Sequence, residues 1–145
     1  MTNADNTNAH FKSLPGAVDI APTLLRHLDV PVPDEVKEEM DGVPLIGKIA
    51  IDNLRATRKG DEIMLTWRKL PDATGTADVF VTTGNNFKSG GKDNYKKIAT
   101  VNVGSESATI KVPPLSTKSR SAHDRIVKII LKTTDNWCNT WVVDR

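Results

Sequence analysis

From Lys48 to the end of the chain, apolar and polar residues alternate with a period of two. Ile63, Leu65 and Trp67 fall on one face of Glu62-Ile63-Met64-Leu65-Thr66-Trp67-Arg68, and Val79 and Val81 share a face of residues 77–82. Residues 95–103 form a further run, and Ala108, Ile110 and Val112 align in residues 107–112. Arg125-Ile126-Val127-Lys128-Ile129-Ile130-Leu131 is the most apolar run and is expected to be central, buried on both faces. An opening strand near residues 49–57 and a closing strand over residues 140–143 bring the number to seven. Between them stand Lys59-Gly60-Asp61, Pro71 to Gly75, Gly90-Gly91, Gly104-Ser105, Pro113-Pro114 and Asp135-Asn136, all of them turn chemistry. Seven short strands over about 95 residues predict an antiparallel sandwich.

Ahead of Lys48 the pattern differs. Residues 1–13 show no hydrophobic period and are rich in Asn, Asp and Thr, so they are read as disordered. After the turn signal Leu14-Pro15-Gly16, the residues Ile20, Leu24, Leu25 and Leu28 recur at helical spacing. Asp19 stands where a helix cap belongs, Pro22 fits a first turn, and Pro31 and Pro33 end the element. Residues 34–40 are expected to add one or two helical turns before Asp41-Gly42. A helix of about eleven residues is too short to persist alone, so its apolar stripe is expected to fray unless a partner covers it.

Charge divides the chain at the same place. Residues 1–47 hold three Lys or Arg and eight Asp or Glu, and residues 48–145 hold seventeen and ten. The net charge of +2 gives no global field for nucleic acid, which is not expected as a partner. One cysteine, Cys138, excludes an internal disulfide and any cysteine-cluster zinc site. No apolar run is long enough for a membrane span, and the polar stretch from Met1 to His10 lacks the core of a signal peptide.

Two resemblances follow from particular residues. Val18-Asp19-Ile20-Ala21-Pro22-Thr23-Leu24-Leu25, then Leu28-Asp29-Val30-Pro31-Val32-Pro33 and Asp41-Gly42-Val43-Pro44-Leu45, resemble the C-terminal end of the alkaline phosphatase superfamily, in its sulfatase and phosphodiesterase branch. The likeness covers roughly residues 10–47, and Asp29 departs from it, since the family usually has Gly there. It implies that residues 14–47 close an α/β hydrolase domain, with the sandwich of residues 48–145 appended. It also implies a parent with two divalent metals and a Thr, Ser or modified Cys nucleophile, acting in the periplasm or outside the cell. Every ligand and nucleophile position of that family lies upstream of the "VDIAPT" helix, so no cofactor and no catalytic residue is expected in this chain. Asn53-Leu54-Arg55-Ala56, Ile63 to Trp67 and Pro71 resemble the first two strands of fibronectin type III. The fold expected is therefore mainly β, a seven-stranded immunoglobulin- or fibronectin type III-like sandwich behind a short helical segment.

Candidate chemistry is sparse. Ser121, His123 and Asp124 are too close along the chain to take the geometry of a catalytic triad. His10 and His27 read as a tail residue and a packing or surface residue. The Gly- and Asn-rich stretch of residues 84–94, with Asn85, Asn86 and Lys92, is read first as a strand connection and otherwise as a cradle for an anion or sugar. Trp137, placed in a loop of residues 135–139, is read first as a lid on one end of the core and otherwise as an exposed aromatic that stacks on a sugar or a partner's apolar group. Two functions follow: a non-catalytic accessory or scaffold part of a metal-dependent phosphodiesterase, phosphatase or sulfatase, partnered by its α/β domain; or a carbohydrate- or protein-binding module.

Overall fold

The computed structural model describes residues 16–112 and 126–143. The tail of residues 1–13, His10, the Pro113-Pro114 turn and the cluster Ser121, His123 and Asp124 lie outside them. Two antiparallel sheets pack face to face. One has the order β1-β2-β5, from Ile51–Lys59 (β1), Glu62–Lys69 (β2) and Ser107–Lys111 (β5). The other has the order β4-β3-β6-β7, from Thr76–Thr83 (β3), Lys96–Asn102 (β4), Ile126–Lys132 (β6) and Trp137–Val143 (β7). The alternation that defines the strands also fills the core. Ile63, Leu65 and Trp67 from β2 meet Val79 and Val81 from β3 and Val127, Ile129 and Leu131 from β6, all buried. The Trp67 indole N–H donates to the Val103 carbonyl at 2.9 Å, so its one polar atom is satisfied inside.

The strand ends shift for local reasons. β1 enters its ladder two residues later than its apolar pattern suggests, because the Asn136 side chain takes the backbone first. The Asn136 carbonyl oxygen accepts from Ala50 N at 2.8 Å and Ile51 N at 3.3 Å, and its amide donates to Ile51 O at 2.7 Å. β7 starts at Trp137, three residues earlier than expected, so Trp137 and Cys138 are strand residues, not loop residues. Burial pushes the Cys138 thiol pKa well up, and that side chain is a core residue.

Residues 17–28 form a 3-10 turn, Ala17–Asp19, running into helix α1, Ile20–His27, and Asp34–Lys37 form the single turn α2. The Asp19 carboxylate makes no cap bond within α1. One of its oxygens accepts from Gly16 N at 2.8 Å and the other from Val43 N at 2.8 Å. The Thr23 hydroxyl accepts from Leu45 N at 3.0 Å. Gly42 lies so close to the Val18 carbonyl that a Cβ there would stand 1.9 Å from the oxygen, which is why the chain needs glycine at that crossing. Arg26 then donates to the carbonyls of Ile46 (3.1 Å), Lys48 (2.9 Å) and Asp135 (2.8 Å), joining α1 to the sandwich. Polar bonds tie this segment to the sandwich, and the helix is formed with Ile20, Leu24 and Leu28 exposed.

Helix α1 ends in a left-handed residue. Val30 N donates to Leu25 O (2.9 Å) and Asp29 N to Arg26 O (3.2 Å), the paired bonds of a Schellman motif, with Asp29 at φ +53°. Glycine suits that backbone better than aspartate. Asp29→Gly is expected to raise the stability of the segment by about 0.5–1 kcal/mol, read as a higher denaturation midpoint or slower amide exchange across α1. An unchanged or lower value would show that the aspartate side chain contributes more than its backbone strain costs.

Candidate functional site

The outer face of the four-stranded sheet, turned away from the core, is divided in two. On β6 and β7 it carries Lys128, Ile130 and Lys132 opposite Trp141, Asn139 and Trp137. Residues 34–40 cross one half. The Asn139 amide donates to the carbonyls of Met40 (2.8 Å) and Glu38 (3.4 Å), and the Lys128 ammonium donates to Glu39 at 2.7 Å. Under this strap Ile130 is buried, so β6 is buried on both faces as its sequence predicts.

Lys128 is the hub of the strap. Its ammonium also meets the fully buried Asp93 carboxylate at 2.6 Å, and the other Asp93 oxygen accepts from Asn86 N at 2.7 Å. The Tyr95 hydroxyl donates to Glu39 at 3.2 Å. Burial alone raises the Asp93 pKa, but the bonds from Lys128 and Asn86 outweigh it and leave the group below the usual carboxylate range. Burial likewise lowers Lys128, and its bonds to Asp93 and Glu39 overcome that and hold it above its ordinary value. Burial, then the neighbouring Glu39 charge, raises the Tyr95 pKa far above its usual value.

The sequence-derived candidates separate on this frame. Trp137 is half-buried, with Lys132 over its ring at 4.3 Å from the centroid and Lys37 at 5.4 Å. It walls a half-open cavity of about 340 Å³, with Pro22, Val30, Val32, Met40 and Pro44 among the other lining residues. Arg26 and Asp135 also face this cavity; burial lowers the Arg26 pKa and Asp135 partly offsets it. Lys92 pairs with Glu35 at 3.1 Å, both of them exposed. Asn86 is pinned through its backbone, and Asn85 follows Gly84 at the end of β3. The loop thus brings Lys92 back beside Asn86, through Gly91 and Asp93, but turns its side chain to Glu35, and Trp137 lies apart on β7. The exposed aromatics that the sequence reading missed are Trp141, 59% exposed, and Phe87, 55% exposed. Period two was the available signal, since Trp141 alternates with the buried Val142 and therefore falls on the outer face, opposite Lys128.

No family model, curated protein or solved structure matches this chain. Its surfaces must speak for it. Of the eleven large apolar residues exposed among the described residues, six lie in the segment of residues 16–40: Val18, Ile20, Leu24, Leu28, Val30 and Val36. A further three, Phe87, Trp141 and Val143, lie at the open end of the outer sheet face. Exposed apolar residues gathered in this way mark interaction surfaces. Among the described residues no three His, Cys, Asp or Glu side chains converge as a metal-ligand group, and the carboxylates of Glu39 and Asp93 are engaged by Lys128. The residues described do not fit the two metals of the family resembled, and no step of such chemistry is assigned to them. No helix among the described residues is long and apolar enough to cross a membrane.

Proposed function

We propose that this chain is a non-catalytic accessory part of a metal-dependent hydrolase of the alkaline phosphatase superfamily, its helical segment docking on the catalytic α/β domain. The observation that carries the reading is the uncovered stripe of α1. Ile20, Leu24 and Leu28 are each more than half exposed, although the helix itself is firmly tied by Asp19, Thr23 and Arg26. A formed helix that holds three aliphatic side chains in water forgoes about 1.5–3 kcal/mol of burial for each, which an absent partner would restore. Two backbone features favour the family named. Asp29, where that family usually has Gly, sits in the left-handed region, and Gly42 of the Asp-Gly turn sits where a side chain would strike α1. In this reading the two divalent metals, the nucleophile and a periplasmic or extracellular site belong to the parent enzyme.

For the sandwich we favour the fibronectin type III reading over the immunoglobulin constant type. β4 pairs with β3 and extends the second sheet to four strands, whereas the constant type assigns its fourth strand to the first sheet. The module then spaces or braces the hydrolase.

The purified chain is expected to leave nitrophenyl phosphate, bis-nitrophenyl phosphate and nitrocatechol sulfate intact, with or without zinc, manganese or calcium. Metal-dependent turnover that disappears in His10→Ala overturns the non-catalytic assignment. Parentage is checked separately by reading the coding sequence upstream of Met1. An in-frame extension encoding clustered Asp and His with a Thr or Ser nucleophile is the expected result, and a closed frame there removes the parent.

A further inference from the structure

A second surface is independent of the helix stripe. The strap of residues 34–40 covers the Trp137 and Asn139 half of the outer face and stops before Trp141. Trp141 stands opposite Lys128, and Val143 stands opposite Ile126. Gly84 N donates to the Ile126 carbonyl at 2.9 Å, which brings the loop that follows β3 to the same end of the sheet. The Lys128 ammonium lies 5.8 Å from the centre of the Phe87 ring, so Phe87 and Trp141 flank one lysine. The corner thus gathers two exposed aromatic rings and Val143, with Asn85 and Asn86 in the loop that leads into Phe87.

Three properties of the corner point to a sugar. The backbone that carries each ring is fixed before any ligand arrives: Trp141 lies within β7, and Phe87 opens a 3-10 turn, Phe87–Ser89, capped by the Asn86 carbonyl, which accepts from Ser89 N and Gly91 N, each at 2.9 Å. The same Asn86 is fixed through Asp93 to Lys128. The side-chain amides of Asn85 and Asn86 have no hydrogen-bond partner among the described residues, leaving donors and acceptors that match sugar hydroxyls. The charge of Lys128 is already met by Glu39 and Asp93, so this lysine is not left to select an anion. Two rings and a valine are also far smaller than the roughly 800 Å² that each partner of a stable protein complex contributes. We propose that this corner is a carbohydrate-binding site that stacks a neutral oligosaccharide on Trp141 and Phe87, with the Asn85 and Asn86 amides reading its hydroxyls.

The test is titration of the full chain with neutral oligosaccharides of glucose, xylose, mannose and N-acetylglucosamine, followed by calorimetry and by the indole resonances of its three tryptophans. At least one sugar is expected to bind and to move the Trp141 signal while leaving that of Trp67 in place. Trp141→Ala is expected to weaken that binding about tenfold or more, and Asn85→Ala to weaken it by a smaller factor. Trp137→Phe should leave it unchanged. Because the Trp141 ring is mostly exposed, its replacement should preserve the thermal midpoint, so that lost binding is not lost folding. Silence across the panel, or equal affinity in Trp141→Ala, overturns the site. Concentration-dependent self-association that disappears in Trp141→Ala also overturns it, by giving the corner to a second copy. None of these outcomes depends on the upstream reading frame.

Discussion

Trp67→Ala should lower the stability of the sandwich by about 3–5 kcal/mol in a chemical denaturation curve, a large share of what a domain of this size possesses. The indole is 5% exposed and reaches from β2 across the core, where the opposite sheet supplies Val79, Val127 and Ile129. Removal leaves a cavity that strands fixed in two ladders cannot close. It also removes the shorter of the two bonds the Val103 carbonyl accepts, leaving only that from Glu106 N at 3.4 Å. Trp67→Phe divides the two effects, since it keeps most of the apolar volume and loses only the N–H, for an expected cost of about 1–3 kcal/mol. A neutral Trp67→Ala would place the tryptophan outside the core and displace β2 from its register.

The second large effect is at Lys128. Lys128→Ala leaves the Asp93 carboxylate, which has no exposed surface, and the Glu39 carboxylate, 13% exposed, facing each other without a cation. Breaking such a buried pair costs about 3–5 kcal/mol, and amide exchange in residues 34–40 and 84–94 should accelerate most. Lys128→Met combined with Asp93→Asn and Glu39→Gln should recover much of the loss, because no uncompensated charge remains. The pH dependence follows from the directions of the two shifts. Asp93 is depressed in the folded protein, so its contribution is complete above the unfolded value of about 3.9 and is lost as pH falls through its lower folded pKa. Lys128 is raised, so its contribution is complete below about 10.4 and is lost as pH rises through its higher folded pKa. The strap should therefore loosen in strong acid and in strong base. A wild-type acid limb identical to that of Asp93→Asn would remove Asp93 from the account.

The strands were legible because alternation of Ile63, Leu65 and Trp67, or of Val127, Ile129 and Leu131, is a direct imprint of one buried face. Helix α1 was legible for the same reason at a period of 3.6. What composition and period leave unwritten are contacts between residues remote in the chain. Nothing local marks Lys128, Glu39 and Asp93 as one cluster, nor Asn136 as the acceptor for Ala50. The difference in exposure between Trp137 and Trp141 is likewise unwritten in the local sequence. Their positions on β7 share a face, and only the strap decides which one is enclosed.

Three of the sheet edges carry features that oppose pairing with another chain. β1 bears a bulge between Asp52 and Arg55, with Asn53 in the left-handed region, and its entry is occupied by the Asn136 side chain. Strand β4 presents Lys96 and Lys97 and a register shift beside Phe80, and β5 is only five residues long. Bulges, lysines and short strands each deny an incoming chain a straight row of free backbone groups, so sheet extension and the fibrous aggregation it seeds meet an obstacle on each of these edges. Along β1, β4 and β5, crowded copies of this domain meet a bulge, lysines or a short strand before they meet a free ladder.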